Sequence, residues 1–147
     1  MRWMASIVIA VGLVAAGAVG ASAATVSTTT GCTVQITSLA FAPATVAPGQ
    51  SSVATLRARN CTRHSQQTAT YWFGRFTGSG PGIPAGCPAI DPLPRAATFA
   101  PHGSVTLQTT YPVFRSCTAT ALELTVRIVG SGGAVLATRS ATLAIHA

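Results

Sequence analysis

From residue 33 onward the chain alternates apolar with small polar side chains at period two. "VTLQTTY" and "LELTVRIV" put large side chains on one face and Thr, Gln, Glu or Arg on the other, and "VQITSLAF", "VATLRA" and "TYWFGRF" interleave apolar and polar residues less strictly, the pattern of strands buried on one side. The segments predicted as strands are 33–41, 52–60, 67–76, 96–100, 104–111, 118–129 and 134–145. Turn chemistry separates them. "APGQ" lies between the first and second, "PHG" between the fourth and fifth, and "GSGG" joins the last two as a hairpin whose glycines accept positive φ. No helix is signalled and no internal repeat is found. The expectation is an all-β domain.

The segment ahead of these strands reads differently. "MRWMASIVIAVGLVAAGAVGASA" has Arg2 in a short basic start, an apolar run from Ile7 to Val19 and a small-residue site at Ala21, Ser22 and Ala23, the order of a secretory signal peptide. The run is shorter than the ~20 residues a membrane-spanning helix needs, and no second such run follows. The expected organisation is a signal peptide over 1–23, a low-complexity lead "ATVSTTTG" over 24–31, and one β domain over 32–147. The exported chain of 124 residues suits a single core.

Export changes the meaning of the cysteines. An even set, Cys32, Cys61, Cys87 and Cys117, reads as two disulfides in an oxidising compartment, with three pairings open. Charge adds a second constraint. The chain has no lysine, and the eight arginines after Arg2 stand against only Asp91 and Glu123, a net +6. The Ala, Gly, Thr and Arg bias fits a bacterial source with a GC-rich genome. A basic secreted protein is drawn to an anionic envelope polymer, a glycan or an acidic face of an extracellular protein. The arginines are scattered rather than clustered, which gives no stripe for specific nucleic-acid binding. A secreted, extracellular monomer with no membrane span is expected.

The stretch "FAPATVAPGQSSVATLRARNC", with Trp72 eleven residues after Cys61 and a long hairpin at the end of the chain, resembles secreted bacterial immunoglobulin-like or fibronectin-type-III-like domains. The resemblance implies a seven-stranded antiparallel immunoglobulin-like β-sandwich, with Trp72 and Phe76 in its core. Cys61 and Cys117 fall at strand ends, a departure from the mid-strand bridge of antibody domains. In an up-and-down sandwich the start of the first strand shares a pole with the end of the second, and the connection after the third shares the other pole with the entry to the sixth. That topology pairs Cys32 with Cys61 and Cys87 with Cys117.

Alternation also assigns faces. Thr70, Trp72, Gly74 and Phe76 point one way and Tyr71, Phe73 and Arg75 the other; Leu122, Leu124, Val126 and Ile128 point in, and Glu123, Thr125 and Arg127 out. With the third and sixth strands adjacent, Tyr71, Phe73, Arg75, Glu123 and Arg127 would gather on one exposed face, a set suited to a sugar or a partner strand. The alternative surface is the Pro- and Gly-rich connection over 77–95, a form in which secreted protease inhibitors present themselves.

Other chemistries find little support. "CTRH" offers a Cys-x-x-His spacing, with His102 and His146 elsewhere, but export commits the cysteine to a disulfide and no zinc set completes it. A copper site lacks its methionine, because Met1 and Met4 belong to the leader. There is no Gly-x-Ser-x-Gly elbow, and Asp91 and Glu123 are the only acids. No metal, cofactor or catalytic residue is expected. "NCT" at 60–62 is a formal glycosylation sequon expected to be inert.

Overall fold

The structure, a computed structural model, describes residues 31–90 and 92–146. The expected leader, almost all of the lead segment and Asp91 lie outside the described residues. The strands are β1 (Val34–Ala42), β2 (Thr45–Val46), β3 (Ser51–Asn60), β4 (Gln66–Thr77), β5 (Arg95–Phe99), β6 (Ser104–Pro112), β7 (Ala121–Gly130) and β8 (Val135–Ile145). They form a three-stranded sheet, β1-β3-β6, and a five-stranded sheet, β2-β8-β7-β4-β5.

Each of the seven expected segments holds a strand. The count of seven and the wholly antiparallel pattern are corrected by β2, an eighth, two-residue strand that runs parallel to the end of β8. Pro43 and Pro48 bracket it, so it is too short to show any period. It is held by Ala144 N donating to Ala44 O at 3.1 Å and His146 N to Val46 O at 3.0 Å. A smaller correction concerns β7, which starts at Ala121 rather than 118, because Thr118 N is already committed to Ala85 O at 3.0 Å and Thr120 N to Thr77 O at 2.8 Å.

The two sheets face one another across one core. The smaller supplies Val34, Ile36, Leu39, Phe41, Leu56 and Tyr111; the larger supplies Trp72, Phe76, Phe99 and a fully buried row of Leu122, Leu124, Val126 and Ile128. In β1 the buried positions switch from even to odd after Ile36. The register shift between Ile36 and Ser38 accounts for this, since one extra residue in the strand flips every later side chain.

The disulfides join the predicted partners at opposite poles: Cys32 to Cys61, with Cα atoms 5.6 Å apart, and Cys87 to Cys117, at 4.2 Å. They agree with an extracellular or otherwise oxidising environment. No described helix is long and apolar enough to cross a membrane.

One core side chain is poorly matched. Tyr111 packs edge-on against Phe41 at 5.9 Å, and its buried hydroxyl has no hydrogen-bond partner among the described residues. Burial pushes its pKa up to about 12, against a smaller opposing pull from the Arg95 charge. The folded state therefore holds the neutral phenol. That contribution is intact below pH 10 and is lost as pH rises from 10 toward 12. Tyr111→Phe should remove the orphaned hydroxyl, raise stability at pH 7 by about 1 kcal/mol, and flatten the alkaline fall. Urea midpoints at pH 7 and pH 11 check both; a less stable phenylalanine variant would mean the hydroxyl is satisfied.

Candidate functional site

The antiparallel pairing of β4 with β7 builds the outer face of the larger sheet. Tyr71 is in register with Arg127, Phe73 with Thr125 and Arg75 with Glu123, so the five predicted residues are brought together on one side. Opposite them the same strands turn Trp72, Leu124 and Val126 inward. The rings of Tyr71 and Phe73 lie 6.2 Å apart, tilted by only 13°. The Arg127 guanidinium sits 5.2 Å from the centre of the Phe73 ring. Across β7, Thr125 and Ser140 share a hydroxyl hydrogen bond of 2.8 Å on the same surface. The result is a near-parallel aromatic pair with a cation against one ring, two further charged side chains beside it and a polar margin. Such a surface can stack on an apolar face while its guanidinium holds an anionic or hydroxyl group.

The second predicted surface is divided by the structure. Thr77 ends β4 and Arg95 begins β5, so the free connection is 78–94. Arg95 is a bridge between the sheets: its Nη1 donates to Thr109 Oγ1 at 2.6 Å and to Gln108 O at 3.4 Å, and its guanidinium lies 5.6 Å over the Trp72 ring. The middle of the connection is laced to the entry of β7. Ala85 N donates to Thr118 Oγ1 at 3.1 Å and Ser116 Oγ to Gly86 O at 3.1 Å, beside the Cys87–Cys117 bond. Gly86, at φ 70°, runs so close to the Ser116 carbonyl that any Cβ there would overlap it. Ile90 enters the gap left by Gly74, where a Cβ would meet its Cδ1. What remains free is the tip, with Ile83 95% exposed between Pro81 and Pro84.

The Cys-x-x-His spacing resolves into structure: Cys61 is bonded to Cys32. The sequon asparagine is also structural. Asn60 is 1% exposed, with Nδ2 donating to His64 O at 2.6 Å and to Ala100 O at 3.0 Å. Among the described residues, no group of three or more His, Cys, Asp or Glu side chains is placed to hold a metal ion.

Two arginines that the sequence did not single out line a cleft of about 600 Å³ between β1 and β8, Arg59 and Arg139. The signal for Arg139 was present. It is in register with the fully buried Val126, which places an arginine on the inward row of β8.

No family model and no curated protein matches this sequence. Solved structures do match in shape. The alkylpurine DNA glycosylase AlkC of Pseudomonas fluorescens, bound to DNA containing an abasic site analogue, aligns over 80% of this chain and 31% of its own, at TM-score 0.53 and 13% identity. The sporulation control protein Spo0M of Bacillus subtilis aligns over 78% of this chain and 50% of its own, at TM-score 0.50 and 10% identity. This chain thus spans from under a third to half the length of these two proteins, and the likeness is one of fold.

Proposed function

We propose that this protein is a secreted, non-enzymatic binding module, built as an immunoglobulin-like sandwich, that engages an anionic envelope polymer or glycan through Tyr71, Phe73, Arg75 and Arg127, with Glu123 at the margin. The observation that supports this most directly is the near-parallel Tyr71–Phe73 pair with the Arg127 guanidinium on it, on an outer sheet face. Stacked rings beside a guanidinium offer apolar surface and a charged donor to a sugar, and the net positive charge favours an acidic one.

Retention on insoluble polysaccharide tests the reading. The double substitution Tyr71→Ala with Phe73→Ala should weaken retention by about tenfold to a hundredfold, on the order of 1 to 3 kcal/mol for lost stacking and its cation contact. Arg127→Gln should weaken it less and reduce its salt dependence, because exposed charge contacts are screened over about 10 Å at 0.1 M salt. Unaltered retention in the double variant would rule this face out.

A second reading is supported by a separate observation. The tip of 78–94 carries a nearly fully exposed isoleucine on a backbone braced by Cys87–Cys117. In this reading the protein is a protease inhibitor, with Ile83 filling an apolar specificity pocket. Stoichiometric loss of protease activity, abolished by Ile83→Glu and unaffected by Tyr71→Ala, would select it over the first.

A further inference from the structure

The two sheets close on each other unevenly. At one side Arg95 and the 78–94 connection span the gap between them. At the other, among the described residues, β1 and β8 each keep a free edge: β1 pairs there with β3 alone, and β2 covers Ala144 and Ile145 of β8. The inward row of β8 is small where it faces this gap, with Ala137 and Ala141 on either side of Arg139. An open cleft of about 600 Å³ results, within the ~300–1,000 Å³ usual for small-ligand sites. Its walls include Val34, Ile36 and Ala137 beside the Cys32–Cys61 bond, and both of its cations are arginines.

Arg139 is held in place within the cleft. Its Nη1 donates to Ile36 O at 3.4 Å and to Thr37 O at 3.2 Å, the carbonyls at the β1 bulge. Both bonds use one nitrogen, which leaves, among the described residues, the Nε and Nη2 donors, the side of the guanidinium suited to a carboxylate or phosphate. Arg59 is exposed at the same cleft. Among the described residues no acid lines it, and the one described carboxylate, Glu123, belongs to the outward row of β7, on the other side of the sheet. An apolar wall with two cations and no counter-ion calls for a ligand that is apolar along most of its length and anionic at one end.

We propose that the β1–β8 cleft binds an amphiphilic anion, its chain against Val34, Ile36 and Ala137 and its carboxylate or phosphate head on Arg139 and Arg59. The site is separate from the aromatic face and does not depend on that face binding anything.

The test is titration of the protein from residue 24 onward with decanoate, decyl phosphate, decanol and decyltrimethylammonium, each below its micelle concentration, followed by amide NMR shifts. At least one of the two anions should shift Val34, Ile36 and Ala137, and decanol should bind about tenfold or more weakly, the worth of one charge-assisted contact. Arg59→Gln should weaken the anion about fivefold to tenfold with the fold intact. Arg139→Gln should do the same; where it loosens β1, Arg59→Gln alone decides. Tyr71→Ala with Phe73→Ala should change nothing. Equal binding of decanol, no binding of either anion, shifts confined to other residues, or indifference to Arg59→Gln would each overturn the proposal. So would anion binding seen only after residues 24–30 are removed, which would make that segment the natural occupant.

Discussion

Asn60→Ala is expected to lower the free energy of unfolding by roughly 2 to 4 kcal/mol, the cost of losing the hydrogen bonds of one buried amide and leaving Thr62 N without its acceptor. The side chain uses both ends. Nδ2 donates to His64 O and Ala100 O, while Oδ1 accepts from Thr62 N at 2.9 Å and Thr62 Oγ1 at 2.8 Å. One residue thus ties the end of β3, the 61–65 turn and the turn between β5 and β6 together, next to the Cys32–Cys61 bond. Alanine supplies none of these four contacts. Aspartate is nearly the same shape but turns the donors into acceptors facing two carbonyls, so Asn60→Asp should be no better than alanine. Urea unfolding followed by the fluorescence of Trp72, the only tryptophan outside the expected leader, reads the loss directly. The same contacts explain why the Asn-Cys-Thr sequon should stay unmodified: Nδ2 is buried and engaged. A loss under 1 kcal/mol, or a glycan on Asn60, would show that this turn network is not formed in solution.

The parts of this protein that were legible in its sequence are those carried by period two. Seven strands, the inward Trp72 row and the gathering of Tyr71, Phe73, Arg75, Glu123 and Arg127 all follow from alternation plus the adjacency of β4 and β7. Both disulfides followed from which strand ends share a pole. What escaped has no period. The two residues of β2 lie between prolines and are specified by pairing with distant Ala144 and Ile145. Gly74 looked like a mere gap in an inward row, yet the gap is filled by Ile90 from the connection that follows. Arg95 had the look of a loop arginine and serves as an inter-sheet strut. Arg139 stands on the inward row of β8 by its register with Val126, and its meaning depends on β1 and β8 lying side by side with an open seam, a tertiary fact that no single strand encodes.

Removing either disulfide is expected to cost roughly 3 to 4 kcal/mol in the chain-entropy model, a large fraction of the 5–15 kcal/mol typical of a domain. The sequence separations are nearly equal, 29 and 30 residues, so the entropic losses should be close. Packing then separates them. Cys117 is 4% exposed and part of the core, with Cys87 packed against it, whereas Cys32 is exposed. Replacing Cys87 and Cys117 by alanine therefore removes buried sulfur as well as a cross-link, and should be the more damaging pair by about 1 kcal/mol. The local consequences differ as well. Loss of Cys87–Cys117 frees a connection that places Ile90 against Gly74, so amide exchange should accelerate across 78–94 while the β7 row from Leu122 to Ile128 stays protected. Loss of Cys32–Cys61 should instead loosen the start of β1, beside Arg59 and Arg139. The two variants thereby sort the candidate surfaces. Polysaccharide retention through Tyr71 and Phe73 should survive both, since those residues are held by the β4–β7 ladder; inhibition through Ile83 should fail with the first; and amphiphile binding in the cleft should weaken with the second. If exchange accelerates evenly over the whole domain in either variant, the bridge secures the entire fold rather than one pole, and the separation of surfaces by pole is wrong.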